Sequence, residues 1–451
     1  MLERFATKDL KKWYKKKDRM PLIIRGARQV GKTALVRLFA KGEDLDLIEL
    51  NLEKIKFKSI HLDQFDIHNT LDEIQLLSKK KIKKNSLIFI DEIQNDPKMI
   101  QILRYFYEEK PTIAVIAAGS LLEFAIKNSE YSFPVGRVEF YYLGPMSFGE
   151  FLNATNNQLL MEKFLKLQFN QTVHDLALEL LKKYLYIGGM PKAVKNYVEN
   201  KSILEVREIQ EEILETYQAD FPKYKKRINL DRITRIFRST CFHLGEKVIW
   251  QKFDRESSSK EIRGIVELLI DARVLLPAYH CEASGSPLRA SIDESIMKLF
   301  FLDVGLMNCF HKIDYVTFDH HFFDRFITNG LIAEQFVAQH LAFFQGARYA
   351  PELNYWLRDK GTQKGEVDFL IQYKNKIFPI EVKSSSGNHS KSIFYFSAEK
   401  KCSRLVKLTT NPYQISEQTQ KIITNDQQIK IKILNLPLYA VEVIEKALEN
   451  Y

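Results

Sequence analysis

The stretch that decides the fold is Leu22-Ile-Ile-Arg-Gly-Ala-Arg-Gln-Val-Gly-Lys-Thr-Ala-Leu-Val36, in which a short apolar segment leads through a glycine-bounded loop into an amphipathic helix. Residues Gly26 to Thr33 match the pattern G-x-x-x-x-G-K-[ST], whose backbone N–H groups surround a phosphate. In this pattern the Lys32 ammonium neutralises phosphate charge and the Thr33 hydroxyl ligates Mg²⁺. A chance glycine-rich turn is the alternative, but the flanking strand and helix favour a nucleotide site. The predicted nucleotide-binding residues are Gly26, Ala27, Arg28, Gln29, Val30, Gly31, Lys32, Thr33 and Ala34.

The bulk composition is that of globular domains. The chain has 451 residues and is 45% hydrophobic, which predicts about three domains. Its formal net charge of +10 is compatible with a polyanionic partner, and a lysine-rich host proteome is the alternative explanation. The cysteines lack C-x-x-C spacing, so the sequence predicts neither a disulfide framework nor a zinc site. They are Cys241, Cys281, Cys309 and Cys402.

The sequence predicts a soluble cytoplasmic protein that does not enter a membrane. Its first residues are charged where a signal peptide needs an apolar core. The longest apolar stretch, Thr112 to Ile126, is interrupted by Glu123 and is shorter than the ~20 residues needed to span a bilayer.

A second motif, Leu87-Ile-Phe-Ile-Asp-Glu-Ile-Gln94, has two carboxylates after a run of consecutive apolar residues. This is a Walker B pattern, which is typical of a buried parallel strand. We expect Asp91 to hold Mg²⁺ and Glu92 to act as general base toward the attacking water. An apolar strand that ends in an acidic turn is the alternative.

Two further residues are candidates for sensing the nucleotide. Ser120 ends an apolar strand that starts at Thr112, where it could help to position the water; a turn and helix cap is the alternative. Arg137 lies on a short loop before the next strand and could reach a γ-phosphate of its own chain or of a neighbour. A salt-bridged surface arginine is the alternative role. If Arg137 acts in trans, the protein must at least dimerise.

The middle of the chain is predicted to be helical. The segment Tyr186-Ile-Gly-Gly-Met-Pro191 predicts a sharp bend between two helices rather than a phosphate loop, because no strand precedes it. Aromatic and basic residues alternate from Phe221 to Ile228, which favours an interdomain hinge, with nucleic-acid contact as the alternative. Residues 229–280 predict a helix-turn-helix or winged-helix module, and Asp303 is expected to cap a helix rather than to catalyse.

The C-terminal third combines an apolar helix with acidic residues on the strands that follow it. Glu334 is predicted on the helix, and Asp368 precedes the sequence Glu381-x-Lys383, which is the D-x(n)-E-x-K arrangement of metal-dependent nucleases. Glu334, Asp368 and Glu381 would bind Mg²⁺, and Lys383 would orient or activate a water that attacks a phosphodiester. Period-two spacing puts Glu381 and Lys383 on one face of a strand. Two alternatives stay open: the C-terminal domain has kept the ability to cleave nucleic acid, or it is a scaffold that only binds.

Taken together, these motifs resemble those of prokaryotic AAA-family ATPases that carry a C-terminal DUF4143 domain. The resemblance implies an AAA-type ATPase, a helical and winged-helix middle, and a C-terminal domain similar to the PD-(D/E)xK nuclease fold. One departure is Glu366-Val-Asp368 in place of the expected Pro-Asp pair, which leaves Asp368 as the better ligand. The motifs are Gly26-Ala-Arg-Gln-Val-Gly-Lys-Thr33, Asp91-Glu-Ile-Gln94, Gly119-Ser120, Gly136-Arg137, Gly188-Gly-Met-Pro191, Asp303-Val-Gly-Leu306, Glu366-Val-Asp368 and Glu381-Val-Lys-Ser384.

The predicted fold class is therefore α/β, with four regions. They are a phosphate-loop AAA-type ATPase domain over 1–150, a helical lid over 151–228, a winged-helix-like module over 229–290, and a restriction-endonuclease-like domain over 291–451.

The leading functional hypothesis is an ATPase with ATP and Mg²⁺ as cofactors, whose nucleotide state repositions a C-terminal domain directed at nucleic acid, with DNA as the candidate partner. In a second hypothesis DNA cleavage is the main output. In a third, the protein is a nucleotide-gated switch that binds a protein partner through an inactive nuclease-like domain.

Overall fold

The structure, a computed structural model, describes residues 2–57, 66–123, 133–224, 229–315, 330–344, 349–359, 364–383, 391–421 and 428–451. Within these residues the strands form two sheets, one of five strands and one of eight.

The first sheet is entirely parallel and has the order β2-β3-β4-β1-β5. Strands β3 and β4 are buried along their whole length, because helices cover both faces of the sheet and only apolar runs fit there. This confirms the predicted α/β ATPase fold. The elements are α1 Ala6–Tyr14, β1 Leu22–Arg25, α2 Lys32–Gly42, β2 Asp46–Asn51, α3 Ile67–Ser78, β3 Ser86–Asp91, α4 Pro97–Glu109, β4 Ala114–Gly119 and β5 Glu139–Tyr142. A short 3₁₀ helix, Ile93–Asn95, follows β3.

The middle of the chain is helical, as predicted. A bend at Gly188 to Met190 separates two of its helices, and Ser147 and Ser258 begin two others with capping boxes. Residues 225–228, which belong to the predicted hinge, lie outside the described residues. The helices are α5 Phe148–Ala154, α6 Gln158–Leu165, α7 Gln171–Ile187, α8 Pro191–Asn200, α9 Ile203–Ala219, α10 Phe221–Tyr224, α11 Leu230–Cys241, α12 Trp250–Phe253 and α13 Ser259–Asp271.

The second sheet is mixed and has the order β12-β13-β11-β10-β9-β8-β6-β7. The helix Gly330–Phe344, which carries Glu334, packs against this sheet together with the helix Lys391–Lys400 and the 3₁₀ helix Leu438–Val443. The elements are β6 Leu275–Cys281, β7 Ile292–Phe301, α14 Val304–Phe310, α15 Gly330–Phe344, β8 Leu353–Arg358, β9 Gly365–Tyr373, β10 Lys376–Val382, α16 Lys391–Lys400, β11 Arg404–Thr409, β12 Gln414–Lys421, β13 Gln428–Pro437 and α17 Ile444–Glu449.

The predicted boundary at residue 290 falls inside a paired hairpin. Helices α11 to α13 are followed by the antiparallel pair β6–β7, which is the element order of a winged helix. Strand β6 also pairs in parallel with β8, so this hairpin belongs to the second sheet. A continuous ladder of backbone hydrogen bonds therefore joins the middle of the chain to its C-terminal part.

One apolar cluster runs through all four predicted regions. It includes Val36 beside the first sheet, Leu181 in the helical region, Ile265 in α13, and Phe336 and Leu434 around the second sheet. A separate cluster covers only the opposite face of the first sheet. Since the four regions share a core, motion of one region against another requires repacking of buried side chains.

Buried polar contacts fix the C-terminal elements onto α5. The N–H of Phe148 donates to His340 Nε2 at 2.9 Å, and the N–H of Gly149 donates to Glu442 Oε1 at 2.7 Å. Burial lowers the pKa of His340 to about 4, so the ring is neutral and able to accept. Burial likewise raises the pKa of Glu442 to about 7.

Candidate functional site

The loop between β1 and α2 has the backbone that the phosphate-loop pattern requires. Gln29 and Gly31 adopt left-handed conformations, with φ of 63° and 92°. A Cβ at Gly26 would come within 2.3 Å of the Leu143 carbonyl oxygen, so only glycine allows the loop to lie against the chain after β5.

Arg4, a buried arginine that the sequence motifs did not indicate, stabilises this loop. Arg4 donates to the carbonyls of Val30 and Gly144, each at 2.9 Å, and its Nε lies 3.0 Å from Glu150 Oε2. Glu150 is in turn the third residue of α5 and completes the capping box that Ser147 begins. The partners are more than 20 residues away along the chain, so no local pattern identifies Arg4.

A second support comes from α9. The Tyr217 hydroxyl donates to the Arg28 carbonyl at 2.9 Å, and Arg28 Nε lies 2.8 Å from Asp220 Oδ2. The helical region therefore contacts the phosphate loop directly.

Lys32 points into the loop. Its side chain is buried and its ammonium donates to the carbonyls of Gly26 and Ala27 at 2.9 and 2.8 Å. Burial lowers the pKa of Lys32 to about 8, and the nearby Glu92 and Asp91 carboxylates only partly oppose this effect.

The Walker B residues lie beside the loop, because β3 and β4 end next to each other and β4 pairs with β1. Thr33 Oγ1 donates to Asp91 Oδ2 at 2.7 Å. Burial raises the pKa of Asp91, although the Thr33 hydroxyl acts in the opposite direction. These hydroxyl and carboxylate oxygens are the donors that Mg²⁺ prefers, so the residues fit the predicted ion.

Glu92 and Ser120 also come together. Glu92 has a left-handed backbone with φ of 54°, and its Oε2 accepts from Gln94 Nε2 at 2.5 Å and from Ser120 Oγ at 3.5 Å. Gln94 was not predicted as a site residue. Its position two residues after Glu92 is the signal that could have identified it, and Gly119 leaves it room, since a Cβ there would lie 2.4 Å from Gln94 Oε1.

Arg137 does not lie near the phosphate loop. It precedes β5, whose first residue Glu139 is in register with Leu22, the first residue of β1. The phosphate loop follows the last residue of β1, so Arg137 lies beyond the opposite end of the strands, and the whole length of β1, about 13 Å, separates it from the loop. There it forms an ion pair with Glu108 at 2.8 Å. A contact of Arg137 with the γ-phosphate of its own chain is therefore contradicted by the parallel topology, and a role in trans stays a prediction.

The residues predicted at the C-terminal site do lie together. Lys383 Nζ is 2.6 Å from Glu381 Oε1, and the N–H of Val382 donates to Asp368 Oδ2 at 2.7 Å. Glu334 reaches the same cluster from α15 and acts electrostatically on Asp368. Burial and the neighbouring Glu334 and Glu381 carboxylates raise the pKa of Asp368 well above its ordinary value.

Two charged residues that were not predicted as ligands complete this cluster. Lys298, on β7, forms ion pairs with Glu366 and, at 3.9 Å, with Glu334. A single lysine in the apolar run from Met297 to Phe301 was the available sequence signal. Within the described parts of the chain, no three acidic, histidine or cysteine side chains stand in a geometry that would hold a metal ion.

Three family models match the chain. Residues 18–152 match an AAA domain, residues 178–317 match a domain of unknown function (DUF8612), and residues 329–439 match a domain of unknown function (DUF4143). The chain thus combines an AAA domain with a DUF4143 domain, which confirms these two parts of the resemblance seen in the motifs. The similarity of the C-terminal domain to the PD-(D/E)xK nuclease fold stays a prediction. An AAA domain implies nucleotide binding. No curated protein matches the chain in sequence.

Two solved structures are similar in part. A Walker-type ATPase of Pyrococcus abyssi aligns over 69% of this chain and 96% of its own, with 13% identity and a TM-score of 0.44. The ORC2 protein of Aeropyrum pernix, in ADPNP–ADP complexes, aligns over 69% of this chain and 94% of its own, with 10% identity and a TM-score of 0.33. None of the helices in the described residues has the length and apolar character to cross a bilayer.

The depressed pKa of Lys32 predicts a pH-dependent affinity for ATP. The protonated ammonium is the form that attracts phosphate, and the free protein loses that proton near pH 8. We expect constant affinity below this pH and a decline of about tenfold per pH unit above it. Fluorescent ATP-analogue titrations from about pH 7.5 to 9.5 measure the effect.

The control for this titration is Lys32→Arg, which keeps its charge over the whole range and should give a weaker but flat profile. A wild-type affinity that stays unchanged up to the highest pH would contradict the assignment.

Proposed function

We propose that this protein, in which an AAA domain is joined to a DUF4143 domain, binds and hydrolyses ATP and uses its nucleotide state to control a C-terminal region directed at nucleic acid. The observation that carries the proposal is a continuous set of contacts from the phosphate loop through the buried Asp303 carboxylate to α15, the helix that carries Glu334.

Hydrolysis would proceed by in-line attack of water on the γ-phosphate. Glu92 would orient the water and accept its proton, while Gln94 and Ser120 hold the Glu92 carboxylate in position. Lys32 would neutralise charge on the phosphates. Mg²⁺, held by Thr33 and Asp91, would supply further neutralisation of the developing charge.

The first contact of the connection lies between the phosphate loop and the bend before α8. A Cβ at Gly31 would be 3.4 Å from Pro191 Cγ, so Pro191 packs against the loop. Just before it, the N–H of Gly189 donates to Asp303 Oδ2 at 2.6 Å. A Cβ at Gly188 would come within 2.1 Å of Asp303 Oδ1, so the bend fits closely over this carboxylate. Movement of the loop would therefore be transmitted to Asp303.

The second contact connects Asp303 to α15. Gln339 Nε2 donates to Asp303 Oδ2 at 3.3 Å, and Gln339 Oε1 accepts from the N–H of Val304 at 2.9 Å. Gln339 lies about one and a half turns after Glu334 on the same helix. A shift of Asp303 would thus move the helix that contributes to the C-terminal cluster.

Nucleic acid is the favoured target for two reasons. The chain has a net charge of +10, and the acidic and basic residues of the nuclease-like pattern lie together at the second sheet. A nucleotide-gated switch that binds a protein partner is the second candidate. The Lys298 ammonium within the acidic cluster favours it, because this lysine already neutralises candidate metal ligands.

The variant Glu92→Gln tests the proposed mechanism of ATP hydrolysis. It should keep ATP binding and lower turnover by at least about a hundredfold, because the amide cannot accept a proton from water. Glu109→Gln, the same change on an exposed residue at the end of α4, should behave as wild type. Phosphate-release and ATP-binding assays provide the measurements. Wild-type turnover in Glu92→Gln would refute the role given to Glu92.

Binding to a short DNA duplex tests whether the nucleotide state controls the C-terminal region. The Glu92→Gln protein with ATP and the wild-type protein without nucleotide should differ in DNA affinity by at least about fivefold. Both affinities should fall steeply as salt is raised, because phosphate contacts release counterions. Affinity that does not depend on salt would instead support a protein partner.

A matched pair of variants tests whether Asp303 and Gln339 connect the phosphate loop to α15. Gln339→Met removes the bonds to Asp303 and Val304 and should abolish the nucleotide dependence of DNA affinity. Gln335→Met, one turn earlier on α15, loses comparable buried bonds to the Phe301 backbone but leaves Asp303 untouched. It should preserve the dependence, and equal behaviour of the two variants would contradict the connection through Asp303.

A further inference from the structure

Lys298 is a buried cation in the middle of the C-terminal carboxylate cluster. Its side chain is 2% exposed, and its ammonium contacts the carboxylates of Glu366 and Glu334 and lies 5.2 Å from the centre of the Tyr355 ring. Burying an ammonium costs several kcal/mol unless charged and hydrogen-bonding partners surround it. Glu366 and Glu334 supply two carboxylates at ion-pair distance, which stabilise the charged form of Lys298 in this buried position.

The other predicted metal ligands are also engaged within the protein. Asp368 Oδ2 accepts from the N–H of Val382, and Glu381 Oε1 holds the Lys383 ammonium. Lys407 acts electrostatically on Glu381 as a third lysine. Among the described residues, no donor bonds to Glu381 Oε2, which is buried.

We propose that the Lys298 ammonium is the resident cation of this cluster and replaces the divalent ion that a nuclease would bind there. A divalent ion beside Glu334 would stand within a few ångströms of the buried Lys298 ammonium. The Coulomb repulsion between them is weakly screened at such a site. An ion would also have to separate Glu334 and Glu381 from their lysines, which removes the partners that stabilise those lysines.

The consequence is a C-terminal region that engages its target without metal-dependent cleavage. The Lys298 proposal is compatible with either candidate partner, because it concerns only the chemistry of the cluster. It does not depend on ATP hydrolysis and can be tested without nucleotide, so its failure would be distinguishable from failure of the proposed function.

Calorimetric titration of the nucleotide-free full chain with Mn²⁺ tests the proposal. The wild-type protein should bind no ion at the cluster. Lys298→Met, which removes the charge and keeps a side chain of similar length, should bind one Mn²⁺ per chain with a Kd at least about tenfold below the highest Mn²⁺ concentration at which the wild-type protein shows no binding. Adding Glu381→Gln to this variant should abolish the gain, which assigns the ion to the cluster.

The matched control is Lys247→Met, because Lys247 is a partly exposed lysine whose ammonium lies 2.6 Å from the Asp359 carboxylate. This variant loses an ion pair of the same kind and should bind no additional Mn²⁺. If Lys298→Met is too unstable for calorimetry, thermal melts with and without Mn²⁺ replace it, and the ion should raise the melting temperature of this variant alone.

Two results would overturn the proposal. One is a wild-type chain that binds one Mn²⁺ and loses it in Glu381→Gln. The other is a Lys298→Met protein that gains neither binding nor thermal stabilisation from Mn²⁺.

Discussion

The carboxylate of Asp303 connects three segments that are far apart in the sequence. It accepts from the N–H of Gly189 at 2.6 Å and from the N–H of Leu306 at 3.0 Å, and it receives the Gln339 amide. Burial raises the pKa of Asp303 to about 6, and these hydrogen bonds act in the opposite direction. The bend that supports the phosphate loop, the start of α14 and the position of α15 all depend on this one buried group.

The shared core determines how a nucleotide could act at a distance. The four predicted regions pack around one apolar cluster, and the β6–β7 hairpin belongs to both the middle region and the second sheet. Closely packed interiors change between discrete arrangements rather than deforming gradually. A change at the phosphate loop would therefore appear as a small concerted shift through Asp303 and α15, which is the form of control that we propose.

Sequence patterns predicted those parts of the site whose structure depends on residues close together in the chain. The glycine-bounded loop, the buried strand before Asp91, the bend before Pro191 and the capping role of Asp303 each follow from neighbouring residues, and all are present. Arg4 and Gln339 could not be found in this way, and the lysine in the apolar run at Lys298 did not reveal its role. The partners of all three lie tens to hundreds of residues away and depend on the tertiary fold. Of the roles considered for Arg137, only the contact with the γ-phosphate of its own chain is excluded, because parallel pairing of β1 and β5 separates Arg137 from the loop. The alternative of a salt-bridged arginine agrees with its ion pair with Glu108.

Hydrogen–deuterium exchange tests the central claim most directly. Exchange would be compared between the nucleotide-free protein and Glu92→Gln with ATP, in peptides covering the phosphate loop, residues 186–191 and α15. Altered exchange is expected in all three, because contacts through Pro191, Asp303 and Gln339 join them. Changes confined to the phosphate loop and the Walker B segment, with α15 unaffected, would contradict it.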